Sequence, residues 1–384
     1  MRVLAITKIF PNALEPLSAP FNRQQFAALR EHCDLEVLAT IPWFPGAGLI
    51  KKWSSAGKLA DVPAAETIAG IPVKHPRTLF VPRLAHVTWG PLYAASLAPA
   101  LVKYRGNVDV VLGSWAYPDG FAAVIAAKLL GVPAVIKLHG SDINQNAQLP
   151  GPRRLLQWAL PQAAHVVAVS KALADEVKQL GVTRVSVVMN GVDSDLFRPG
   201  DRAAARAALG IPASAQLALY VGNLKPEKGV AELARAWPQV TRHLPHAELA
   251  VVGGGPLADD MKQHAGERAR FLGPLKHDQI PQWLAACDVL VLPSHMEGTP
   301  NVALEALASG RRIVATRVGG TPDVVNSSTL GALVPPKDPG ALADALICEL
   351  PRAYDPVEVA KLGARGGWAA SAAALYQILA NART

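Results

Sequence analysis

Apolar residues in this chain come in short runs bounded by polar turn residues, and the runs alternate with stretches of helical periodicity. In the first half RVLAIT, DLEVLAT, DVVLGS, AVIKLHG, HVVAVS and VSVVMNG each predict a short apolar strand. Helical stretches such as FNRQQFAALREH and DGFAAVIAAKLLG fall between several of them. That alternation predicts a parallel sheet with helices on both faces. Between residues 193 and 216 the chain turns polar and Ala-rich around Pro199, Gly200, Gly210 and Pro212, which predicts a linker with an entry helix. A second series, LALYVG, AELAVVGGG, RARFLGP, VLVLPS and RRIVAT, predicts another doubly wound sheet. The sequence carries no evident internal repeat, so the duplication is one of architecture.

Length agrees with two domains, because 384 residues exceed one ordinary core. With 50% apolar and 18% charged residues the chain is not of the disordered class. Cys33, Cys287 and Cys348 are far apart and show neither a disulfide framework nor a metal spacing, which points to reduced thiols in the cytoplasm. MRVLAITKIF reads as a first strand interrupted by Lys8, not as a signal peptide. The net charge of +8 lies wholly in the first half, which has 19 basic and 11 acidic residues against 19 and 19 in residues 191 to 384. Basic residues beside apolar ones, in LIKKWSS at 49 to 55 and KHPRTLFVPRLAH at 74 to 86, fit either solubility or peripheral contact with an anionic membrane or acceptor. No basic helix or aromatic-studded sheet motif favours nucleic acid.

The richest chemistry lies in EGTPNVALE, from Glu297 to Glu305. It follows the apolar run VLVLPS, so it leaves the carboxyl end of a predicted strand, where open parallel sheets bind ligands. Thr299 is a suitable N-cap and Pro300 a suitable first helical residue, with Gly310 as the C-terminal glycine. Amides of the first turn, around Asn301 and Val302, and the positive dipole end favour an anion. Glu297 in the loop with Gly298, and Glu305 on the second turn, could grip sugar hydroxyls. On the residues alone the two glutamates are equally well a dipole-balancing charge and a solvated helix position.

The E-x7-E spacing of Glu297 and Glu305, with PS before it and EA-x-x-x-G after it, resembles the retaining glycosyltransferases of family 4. The resemblance spans nearly the whole chain and is strongest from Val166 to Pro322. It implies the GT-B architecture, an α/β fold of two doubly wound parallel-sheet, Rossmann-like domains facing across a cleft. Residues 1–192 would form the acceptor domain and 193–364 the nucleotide-sugar donor domain. A helix from about 365 to 384, with Trp368, Leu375, Tyr376 and Leu379 at helical spacing, would cross back to the first domain.

The same resemblance gives roles to other motifs. In VGNLKPEKG at 221 to 229, Lys228 matches the family's diphosphate-binding lysine, and Asn223 stands where the family usually has arginine. Lys225 could restore that charge, since fixed cations stabilise a departing diphosphate. His139 in LHGSD, at a strand end near Asp142, would contact the transferred sugar. Main-chain groups near Leu272 and Gly273 would read the base. The NGVD motif at 190 to 193 reads as a hinge turn, and VVGGGPL at 251 to 257 lacks the full dinucleotide fingerprint. For the acceptor, loops 15 to 25 and 114 to 120 offer Phe21, Arg23, Trp115 and Tyr117.

Asp259 and Asp260 are adjacent on a predicted helix and form no DxD motif, so metal independence is expected, with no cofactor beyond the donor substrate. The reading is a retaining, metal-independent hexosyltransferase. It would take a UDP- or GDP-linked sugar and serve a glycan or lipid-linked acceptor in cell-surface polysaccharide or glycolipid synthesis, in the cytoplasm or at the inner membrane face. Same-face attack is the family's implied route to retention. A dehydrogenase would need a glycine fingerprint after the first strand, and ITKIFPNALEP has none. A non-catalytic nucleotide-sugar binder and a sugar-nucleotide epimerase remain as alternatives on the same fold.

Overall fold

The computed structural model describes residues 1–16, 18–50, 55–80, 86–364 and 366–383. The chain divides into two compact units, Met1–Asn190 with Trp368–Thr384, and Gly191–Gly367.

The first unit contains β1 (Arg2–Thr7), β2 (Asp34–Ala39), β3 (Ile41–Trp43), β4 (Ala65–Ile68), β5 (Ile71–Lys74), β6 (Arg77–Leu79), β7 (Val110–Ser114), β8 (Ala134–Leu138), β9 (His165–Ala168) and β10 (Val185–Val187). Eight of these form one sheet in the order β10-β9-β8-β7-β1-β2-β5-β4. All its pairings are parallel except the β4–β5 hairpin. Every residue of β7 and β8 is buried, as strands covered by helices on both faces require. Strands β3 and β6 form a separate parallel pair. Neither that pair nor the hairpin has a counterpart in the apolar pattern, because AETI and IPVK alternate buried and exposed positions too briefly to stand out.

The second unit contains β11 (Gln216–Val221), β12 (Ala247–Val252), β13 (Ala269–Gly273), β14 (Val289–Leu292), β15 (Arg312–Thr316) and β16 (Gly331–Val334). Its sheet runs β13-β12-β11-β14-β15-β16 with every pairing parallel. Chain order therefore reverses between β11 and β14, and in the first unit between β1 and β7. At such a switch point the loops leaving two neighbouring strands part to opposite faces and open a crevice. Strand β15 is fully buried despite Arg312, whose guanidinium reaches Glu349 Oε2 at 2.8 Å through Nε and 2.5 Å through a terminal nitrogen.

The linker region contains the helix Arg202–Leu209, opened by Asp201, whose carboxylate accepts the amides of Ala203 at 2.8 Å and Ala204 at 3.1 Å. The last helix, Gly367–Arg383, packs within the first unit. Its Ala372, Leu375 and Leu379 lie in one apolar cluster with Val3, Phe26 and Val110. Truncating a leucine buried in this way costs about 2–5 kcal/mol. Among the described residues no helix is long and apolar enough to cross a membrane. The basic stretches at 49 to 55 and 74 to 86 fall partly outside the described residues.

Candidate active site

In the second unit three loops meet beyond the carboxyl ends of β11, β14 and β15. Two glycines let them approach. Gly229, at φ 64°, closes the lysine loop, and a Cβ there would lie 1.8 Å from the Pro293 carbonyl oxygen. Gly319, at φ 49°, follows β15, and its Cβ would lie 1.8 Å from the Glu297 carbonyl oxygen. Backbone bonds finish the join, from His295 N–H to Glu227 O at 2.9 Å and from Gly320 N–H to Gly298 O at 2.9 Å.

This convergence brings Lys228 Nζ to 2.7 Å from Glu297 Oε1, an oxygen that also accepts from Ser294 Oγ at 2.7 Å. The ammonium has three N–H groups and Glu297 uses one, so a ligand can take the others. The Tyr220 hydroxyl is held protonated, its pKa pushed up by burial and by the charges of Glu297 and Glu227. It donates to Asn223 O at 2.9 Å and so fixes the start of the lysine loop. The side chains of Asn223 and Lys225 are exposed and do not join the Lys228–Glu297 pair.

The helix after Glu297 runs from Asn301 to Ala308. Pro300, expected as its first residue, instead holds the N-cap position with φ −73° and ψ 101°, and no side chain caps the helix. Thr299 therefore lies one residue too early to be the N-cap. The first turn begins at Asn301 and Val302, and Glu305 follows on the second turn. There Glu305 Oε1 lies 3.0 Å from His277 Nε2, and the His277 ring packs edge-on to Phe197 at 5.1 Å. His277 follows RFLGPL, whose Leu272 is half-buried in the edge strand β13. The triple-glycine turn is occupied with backbone pairing to the lysine loop, Gly222 N–H to Val252 O and Leu224 N–H to Gly254 O, each at 3.0 Å.

In the first unit the corresponding cluster follows β1, β7 and β8. His139 stands one residue past β8, with Phe21 at 4.9 Å and Trp115 at 5.9 Å between ring centroids. Asp142 is fully buried and its carboxylate accepts the amides of Ala116 at 2.7 Å, Gly140 at 2.7 Å and His139 at 3.1 Å. It ties the loops after β7 and β8 together. Burial nonetheless raises its pKa to about 6 against those donors.

A hydrogen-bond chain sets the state of His139. Asn22 Nδ2 donates to Ile9 O at 2.8 Å, which turns Oδ1 toward Ser114. The Ser114 hydroxyl donates to that oxygen at 2.9 Å, so Ser114 Oγ must accept from His139 Nε2 at 2.9 Å. The proton is then on Nε2. Nδ1 is a buried lone pair with no protein donor among the described residues. The imidazole is neutral, because burial, reinforced by the charge of Lys137, pushes its pKa well below the usual value.

The acceptor candidates divide. Phe21 and Trp115 flank His139, whereas Arg23 is half-buried two residues from Phe21 on the same helix and so points elsewhere. Tyr117 is fully buried, its hydroxyl bonded to His86 O at 2.7 Å and to Gly90 N–H at 2.8 Å. It presents no face to a sugar and is a core residue. Asp259 and Asp260 lie on the exposed helix Ala258–Ala265, facing Lys262 and His264. Sequence reasoning did not find His277, Ser114, Asn22 or Ser294 as site partners. Ser294 had a signal in its place at the end of VLVLPS, and Asn22 and Ser114 in lying within the candidate loops 15 to 25 and 114 to 120.

Two parallel doubly wound units, with a lysine and two glutamates grouped at the switch point of the second, define a GT-B glycosyltransferase. The chain matches the family model described as Glycosyltransferase Family 4 over residues 55–196, and the one described as Glycosyl transferases group 1 over residues 215–350. It is 31% identical over 359 residues to TuaC of Bacillus subtilis (strain 168), named as a glycosyltransferase of teichuronic acid biosynthesis, across 90% of this chain and 88% of that one. Its fold is similar to sucrose-phosphate synthase from Thermosynechococcus elongatus, with TM-score 0.76, 21% identity and 99% of each chain covered. It is also similar to Anabaena HepE in complex with UDP, with TM-score 0.68, 21% identity and 100% and 97% of the two chains covered. The chain belongs to the family 4, group 1 glycosyltransferases, and is an enzyme of that type.

Proposed function

We propose that this enzyme transfers a hexose, with retention and without a metal ion, from a nucleoside diphosphate sugar to a hydroxyl of a glycan or lipid-linked acceptor. The observation that carries this reading is the junction of Lys228, Glu297 and Ser294 at the switch point of the second unit. An ammonium with spare donors there suits a departing diphosphate, and fixed charge lowers the barrier where negative charge develops. Lys225 or Asn223 assists Lys228, the amides from Asn301 onward take phosphate oxygens, and Glu305 holds the ribose hydroxyls. Glu297 orients the hexose, and the base lies against the main chain near Leu272. HepE, similar in fold, was solved with UDP, which favours a uridine donor.

In the transfer step the bond from the anomeric carbon to the diphosphate oxygen breaks. The acceptor oxygen bonds to the same face of that carbon, and its proton passes to a departing phosphate oxygen. His139, neutral and fixed by Ser114, contacts the transferred sugar. The name of the Bacillus subtilis relative supports a product in cell-surface polysaccharide or glycolipid synthesis. Surplus basic charge in the first half supports work at the inner face of the cytoplasmic membrane.

The test begins with binding of UDP, GDP, ADP and their sugars to purified protein. Labelled-donor turnover follows, with Glu297→Ala as control and with chelator present. Transfer or slow hydrolysis that persists in chelator, is lost in the variant, and gives a product of unchanged anomeric configuration supports the reading. Tight donor binding with no transfer and no hydrolysis would instead identify a binding protein, the reading that Asn223 favours. Donor conversion without any acceptor would identify an epimerase.

A further inference from the structure

A cavity of about 240 Å³ opens in the first unit beside the His139 cluster, walled by Ile9, Pro42, Leu59, Leu79, Phe80 and Trp89. Its polar floor is already committed. Thr40 Oγ1 donates to the Tyr93 hydroxyl at 2.9 Å, and that hydroxyl donates to Asp119 Oδ1 at 2.9 Å. The same carboxylate oxygen accepts the Lys8 amide. What remains for an occupant is an apolar wall and the exposed ammonium of Lys8 at the rim. Lys8 belongs to both neighbourhoods. Its Nζ lies 5.9 Å from the Trp115 ring centroid, and Trp115 stacks on His139.

These groups run in a fixed order from apolar wall to cation to the His139 cluster. We propose that the cavity seats the proximal segment of an apolar chain that is joined through a phosphate to the acceptor sugar. The phosphate lies at Lys8, and the reacting hydroxyl extends toward His139. This rests on the transferase reading given above and narrows its acceptor from any glycan to a phosphate-linked amphiphile. The volume sets the length held, since a pocket enclosing a whole drug-sized ligand spans roughly 300–1,000 Å³. Only the first part of a long chain fits, and the rest extends beyond the cavity. A free sugar would leave the wall in water, whereas an apolar segment removes it from water, which favours binding in proportion to the apolar area covered. Lysine serves as a point charge for phosphate.

Two chain types share this chemistry, isoprenoid and linear acyl, and the test separates them. Full-length protein is titrated with farnesyl phosphate and with dodecyl phosphate, each below its micelle-forming concentration, following tryptophan fluorescence. Inorganic phosphate and farnesol serve as controls. At least 10-fold tighter binding of a chain phosphate than of either control supports the proposal, and the tighter of the two names the chain type. Leu79→Gln is expected to weaken binding at least 10-fold, with Leu79→Met retaining it. Lys8→Gln, at an exposed position that leaves the core intact, is expected to remove the preference for phosphate over alcohol. Chain phosphates that bind no better than inorganic phosphate overturn the proposal. So does equal affinity in wild type and Leu79→Gln when circular dichroism is unchanged. UDP binding and donor turnover are measured on the same preparations. Their failure would sink the transferase reading while leaving the chain titration interpretable.

Discussion

The functional clusters of the two units follow the same topological rule and opposite electrostatic ones. In the second unit the groups are polar, partly exposed and paired with each other, Lys228 with Glu297 and His277 with Glu305. In the first unit burial suppresses charge. His139 is neutral, Asp142 and Asp119 titrate near 6, and Lys137 is pushed down to about 7. Lys137 is fully buried, its partners the amide oxygens of Gln25 at 2.5 Å and Asn190 at 3.2 Å. The contrast teaches a division of labour. At one switch point ionisable side chains pair with each other at a partly exposed surface, while at the other burial and hydrogen bonds hold the side chains in one orientation.

The largest effect that could break this comparison is Lys228→Ala. Loss of one preorganised partner of the departing diphosphate should lower turnover 10²–10³-fold, about 2.7–4 kcal/mol. Single-turnover kinetics measure it, and an unchanged rate removes Lys228 from the chemistry. Glu305→Ala should act on binding instead, weakening UDP about 10-fold, or about 1.4 kcal/mol, by calorimetry. If UDP affinity is untouched, the ribose assignment is wrong. His139→Ala should lower turnover about 10-fold with UDP affinity intact, because its cluster lies wholly within the other unit. A variant that loses UDP binding would refute the separation of roles.

A separate test, on stability instead of turnover, concerns pH. Asp142 has a folded pKa raised above its ordinary 3.8, so between those values the native state binds the extra proton. Its contribution therefore favours the folded state at low pH and is lost as pH climbs through about 6. Asp142→Asn should flatten the stability profile between pH 4 and 6 by up to about 1.4 kcal/mol per pH unit. Denaturant melts across that window measure the slope, and identical slopes would show that the carboxyl is not buried as described.

Legibility differed between the two units for a physical reason. In the second unit Ser294, Glu297 and Glu305 lie close along the chain, between the end of β14 and the second turn of the next helix, although Lys228 and His277 do not. Spacing alone groups the serine and the glutamates. In the first unit Asn22, Ser114 and His139 come from three distant segments, and only the sheet order makes them neighbours. Tyr117 shows the same limit from the other side. A tyrosine at a strand end reads equally as a sugar platform or as core, and burial of its ring beneath Gly90 decided for core. The start of the Glu305 helix was missed by about one residue, because proline can hold the cap as well as the first turn.

Sequence by itself determined the two series of apolar parallel strands, the linker and the E-x7-E motif. Each depends on periodicity or spacing within one short segment. Tertiary structure alone decided the switch points, the pairing of Lys228 with Glu297 and of His277 with Glu305, the tautomer of His139, and the cavity beside Lys8. All of these depend on which strands become neighbours and how closely glycine backbones let loops approach, and no local run of residues encodes either.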